Sequence, residues 1–116
     1  MPIPREEITM EKKGDNLLNG MTIKELVKTA KLPAGVWERG MVIGQKDDGT
    51  CDLIGRTGFD ETNIHAVVLE TKELKEEGLI QVYFTGEFNK SALIVETGFD
   101  KEKLVKPARK LLIIIS

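Results

Sequence analysis

The sequence is short of reactive side chains. Its 116 residues include one histidine, His65, and one cysteine, Cys51. A single cysteine excludes an internal disulfide, so the fold does not depend on an oxidising compartment. One histidine and one cysteine do not complete a zinc site without carboxylates, and no paired ligand motif is present, so no metal is assigned. Neither a Ser-His-Asp set nor a Cys-His pair has local support. Gly40-Met-Val-Ile-Gly44 lacks the Lys-Ser/Thr that would complete a phosphate loop. No catalytic residue and no cofactor is therefore assigned, and the chain reads as a non-enzyme. An excess of one charge is missing too. The net charge of −2 draws the chain neither to nucleic acid nor to an anionic membrane. The longest pure apolar run, Leu111–Ile115, is far too short to span a bilayer. The opening Met1-Pro-Ile-Pro-Arg-Glu-Glu has no apolar core of a signal peptide. A soluble chain that stays inside the cell after synthesis is expected.

What is present is β-strand patterning on the scale of one domain. From Leu79 to Thr85, Ile80, Val82 and Phe84 alternate with Gln81, Tyr83 and Thr85. That period of two gives one apolar face and one that meets water or a second layer. Gly86 ends the alternation, which predicts a turn or bulge there. Asn89-Lys90-Ser91 reads as a polar turn before Ala92 to Val95. Met41–Gln45 and Cys51–Gly55 flank Asp48-Gly49, which predicts a hairpin. Ile64–Leu69 is nearly continuous in apolar residues and predicts a central strand covered on both faces. Glu70 to Gly78 carries six charges and reads as a solvated connection with room for one helical turn. Leu111–Ile115 is β-rich and must be covered in the core or at a subunit contact.

The first 20 residues differ from the rest. Pro2 and Pro4 favour extended backbone, charged residues follow, and Gly14, Asp15, Asn16 and Gly20 form loops. Ile3, Ile8, Met10, Leu17 and Leu18 are the residues able to pack. The segment reads as an arm that frays or orders on a partner, with Ile8 and Met10 on one side of an extended strand. From Thr22 to Leu32 the local spacing suits a short helix, with Thr22 and Glu25 as a capping box, but 27–32 also suits an exposed strand.

Thr57-Gly58-Phe59-Asp60 recurs as Thr97-Gly98-Phe99-Asp100. Ile64 and Leu104 each follow their Phe by five residues, the spacing of an Asp N-cap with a hydrophobic staple. The echo reads as one turn device used twice. A short helix from Lys101 is expected to end or kink before Pro107. Lys101, Lys103, Lys106, Arg109 and Lys110 are interleaved with acids and lack aromatics, so they read as a solvated face.

The order of segments resembles the lambda-type head decoration proteins of tailed bacteriophages. The resemblance runs from about residue 26 to 115. It rests on the Gly40–Gly44 entry, Ala66–Glu70, the Val82–Leu93 stretch and the closing Leu111–Ile115. The turn motif Gly86-Glu87-Phe88-Asn89, expected to end a strand, is its most specific part. The resemblance implies a mainly β, β-clip-like fold with one or two short helical turns. It implies a compact decoration domain over 21–116 behind an extended, flexible N-terminal arm over 1–20. It implies strand rather than helix for 27–32. It further implies a homotrimer bound to the major capsid protein on the outside of the expanded head, with Ile3, Pro4, Ile8 and Met10 in the capsid-binding arm. Nucleic acid and membrane would be untouched, and the chain would be made in the cytoplasm of the host bacterium. The contrasting reading is a small oligomeric β-module, or a small enzyme or ligand-binding β domain using His65 and Cys51.

Overall fold

In a computed structural model, which describes Leu17, Leu18 and residues 24–116, the Asp48-Gly49 hairpin forms as its turn residues dictate. The Lys46 N–H donates to the Thr50 carbonyl at 2.9 Å, and the Asp48 side chain accepts from the Thr50 N–H at 2.9 Å. Around this hairpin the described chain forms β1 (Leu26–Leu32), β2 (Gly35–Trp37), β3 (Val42–Gln45), β4 (Cys51–Leu53), β5 (Ile64–Val68), β6 (Lys72–Leu74), β7 (Gly78–Phe88) and β8 (Ile113–Ile115). One α-helix, α1, spans Val105–Arg109, and short 3-10 turns lie at Glu61–Asn63, Lys90–Ala92 and Lys101–Leu104. The domain is mainly β and compact.

The main sheet runs β1-β7-β5-β3-β4, with β8 parallel to the far end of β7. β1 and β4, the ends of that path, approach each other without a ladder between them, so the sheet curls. One core fills the curl: Ala30, Leu32, Trp37, Ile43, Leu53, Ala66, Val68, Ile80 and Val82. The other lies outside it, where Leu17, Val67, Tyr83, Phe88, Leu104 and Ile113 pack together. The alternation in β7 is the cause. Ile80 and Val82 face the first core and Tyr83 the second. Arg39 ties the layers, donating through Nη1 to the Leu69 carbonyl at 2.9 Å and to the Tyr83 hydroxyl at 3.0 Å.

Leu26–Leu32 is a strand and not the helix that local spacing allows. Tertiary contact decides it, because Ala30 and Leu32 alternate onto the face that meets Ile80 and Val82. Three expectations need correction. The charged stretch 70–78 holds β6, which pairs with β2, and no helical turn. Leu74 anchors it in the core, while Lys72 and Glu73 stay exposed. Pro107 does not end the helix but lies inside α1. It is the third residue, where a helix start leaves the N–H without an intrahelical acceptor. Leu111 and Leu112 lie outside β8, in an exposed turn, and only Ile113–Ile115 is strand.

The Asp caps of the repeated turn form as expected. Asp60 and Asp100 each cap a 3-10 turn, accepting from the N–H of Thr62 and of Glu102. Hydrogen bonds from Thr62, through its hydroxyl and its N–H, hold the Asp60 carboxyl below the usual carboxylate range.

Candidate functional site

Ile3, Pro4, Ile8 and Met10 lie outside the described residues, so the arm expected over 1–20 is seen only at its root. Leu17 is 2% exposed and belongs to the outer core. Its carbonyl accepts from the Asn89 N–H at 2.8 Å, and Leu18 bridges to Phe88 as an antiparallel partner. The leading segment is thus fastened to the Gly86-Glu87-Phe88-Asn89 stretch, the same four residues singled out in the sequence.

Those residues are not a turn. Gly86, Glu87 and Phe88 complete β7 and pair in parallel with Ile113, Ile114 and Ile115. Asn89 stands at the N-cap position of the 3-10 turn that follows. The irregularity foreseen at Gly86 is present two residues earlier. Leu26 faces Thr85 and Val27 faces Tyr83, so Phe84 is an extra residue in β7, a bulge. The bulge shifts the side-chain parity, and Tyr83 and Phe88 therefore share one core although five positions apart, with ring centroids 5.6 Å apart. Gly86 takes φ +149°, and a Cβ there would stand 2.9 Å from the Phe88 ring. Only glycine lets the strand pass over Phe88. The motif closes a three-way junction of Leu17–Leu18, β7 and β8.

His65 and Cys51 are not brought together. β3 separates their strands in the sheet. Ile43 faces Ala66 and Gly44 faces Ile64, so His65 is the bulged residue of β5. Its ring meets the bulged Phe84 edge-on, centroids 5.0 Å apart. The paired positions of the β5–β7 ladder are Val67–Tyr83 and Val68–Val82, so both rings lie past its end. Burial pushes the His65 imidazole below its ordinary pKa. The Cys51 thiol is buried in the inner core, 3.7 Å from the Gly49 carbonyl, and burial pushes its pKa up. A raised thiol pKa opposes nucleophilic use. A ligand site built on this pair is not formed. No cluster of three His, Cys, Asp or Glu suited to a metal occurs among the described residues, and no helix there is long and apolar enough to cross a membrane.

The structure also extends the repeated turn. Leu53-Ile54 precedes the first copy and Leu93-Ile94 the second at the same spacing. The copies lie side by side. The Glu96 N–H donates to the Ile54 carbonyl at 2.9 Å, and the matched positions Arg56 and Glu96 pair at 3.1 Å. The longer match was readable in the sequence, but the pairing of its two copies was not. No protein-family model matches the chain, and no curated protein matches it.

Proposed function

We propose that this chain is a phage head decoration protein. It binds the outside of the expanded capsid, as a homotrimer on the major capsid protein, and stabilises the shell against the pressure of packaged DNA. One observation carries the reading: the leading segment is fastened by Leu17 and Leu18 to Phe88 and Asn89, within the motif most specific to the resemblance. A root fixed in this way lets residues 1–16 engage a partner while the body keeps its fold. Ile3, Pro4, Ile8 and Met10 supply extended, partly apolar backbone for strand addition to the capsid protein. Three arms on one trimer add their contacts through effective concentration. Affinity for the expanded lattice alone then stabilises that lattice by mass action. The β-clip comparison and a location on the virion exterior belong to the same proposal.

Deletion of residues 1–15 tests it. The shortened protein should fold and keep its oligomeric mass but fail to decorate expanded heads in electron micrographs. Undiminished decoration by the shortened protein would overturn the role given to the arm. The exposed Leu111 and Leu112 also suit an oligomeric β-module with no capsid partner. That reading predicts normal self-association and no head binding by the full chain.

A further inference from the structure

A groove of about 420 Å³ lies between the Glu61–Asn63 turn and α1, lined by Thr62, Ile64, Lys106, Pro107, Lys110 and Leu111. Ile64, Pro107 and Leu111 make it apolar, and Lys106 and Lys110 are its charged lining. Leu111 is 43% exposed, although its side chain would gain from burial. The surroundings keep the same sign. Lys103 and Arg109 stand on the same segment as the two lysines. On the facing turn the acids are Asp60 and Glu61, and the Asp60 carboxyl is engaged by the N–H and hydroxyl of Thr62. Such a groove suits an extended peptide that is both apolar and acidic.

The leading segment of the chain contains one. Glu6-Glu7-Ile8-Thr9-Met10-Glu11 carries three acids and no base. In extended backbone Ile8 and Met10 fall on one side, and Glu7 and Glu11 on the other. With the apolar side in the groove, the carboxylates stand at the rim, where the exposed Lys106 and Lys110 keep their ammonium groups in water. Arg5, Lys12 and Lys13 bracket the run and are repelled by the same lysines, which confines the fit to these six residues. The tether reaches. Six to eleven residues separate the run from Leu17, roughly 20 to 36 Å of extended chain. Leu17 and Ile64 pack in one buried cluster, so the groove lies within that length. A tethered occupant needs little intrinsic affinity, because its effective concentration is high.

We propose that residues 6–11 occupy this groove in the free protein and withhold Ile8 and Met10 from other surfaces. The groove contact stands apart from the capsid reading; its release by the capsid protein rests on that reading. An arm seated on its own body lowers the apparent affinity for the head by the fraction of arms set free.

Carbodiimide cross-linking of the full chain, read by peptide mass spectrometry, tests the contact, because the reagent joins a carboxylate directly to a lysine amine. Links from Glu6, Glu7 or Glu11 to Lys106 or Lys110 should form within single chains. They should fall about fivefold when Ile8→Ser and Met10→Ser remove the apolar side. Links that are absent, that join two copies, that run equally to Lys24, Lys28 and Lys31, or that persist unchanged in the serine variant would overturn the inference. For the release, Lys106→Glu with Lys110→Glu should tighten binding to expanded heads about threefold. Unchanged or weaker binding, with an unaltered circular dichroism spectrum, would overturn the competition between groove and head. Intramolecular links in a chain indifferent to heads would leave the groove contact standing and remove the capsid reading. Decoration of heads by a chain without such links would do the reverse.

Discussion

The two cores on either face of the sheet are built in different ways. The inner one draws on β1 to β7, residues 30 to 82, strand by neighbouring strand. The outer one is closed by the two extremes of the described chain: Leu17 from the start, Leu104, Ala108, Ile113 and Ile115 from the end. Phe88 is wholly buried among them, at the point where β7 exchanges β5 for β8. The contrast teaches which core a force on Leu17 would reach first, since Leu17 packs in the outer core and not in the inner one.

The largest blow to that contrast is Phe88→Ala. Truncating a buried Phe costs about 3–5 kcal/mol, and here it removes the residue that joins Leu17, β7 and β8. Hydrogen exchange should quicken in β8 and α1 well before β3 and β4. Equal quickening in all four would show that the cores do not behave separately. Leu17→Ala should cost less, about 2–3 kcal/mol by denaturant unfolding, with the exchange increase again confined to the outer core.

His65 marks the junction and gives a pH test. Its folded pKa is lowered by burial. The unfolded chain therefore binds the proton more readily, with the ordinary imidazole value near about 6.5. Stability should be full above that value and decline as the pH falls through it toward the lower folded value. His65→Gln should flatten that part of a melting-temperature profile. An unchanged slope would mean that the ring is not held neutral between β5 and β7. The smallest effect is expected at Leu112, where Leu112→Gly relieves left-handed strain and should raise the unfolding free energy by up to about 1 kcal/mol in the monomer.

The inner core was the more legible of the two. Asp48-Gly49 specifies its own turn, and the apolar run at 64–68 and the alternation at 79–85 state their strands through local pattern alone. β6 escaped because its one buried anchor, Leu74, is set among charges and needs β2 to reveal it. The outer core hides for a different reason. Its partners are far apart in sequence, so nothing near Leu17 announces Phe88, and nothing near Phe88 announces Ile113. The candidate site was half visible: Gly86–Asn89 could be picked out as a motif, but its role as the fastening of the leading segment depends on the Asn89–Leu17 hydrogen bond. Pro107 was misjudged because a helix that starts from a 3-10 turn tolerates proline in its first turn.

The most direct test adds the purified full chain to expanded undecorated phage heads and, separately, to unexpanded ones, and images both. The account predicts regular three-lobed density on the outer surface of the expanded heads and bare unexpanded ones. Bare expanded heads, or equal density on both, would contradict it.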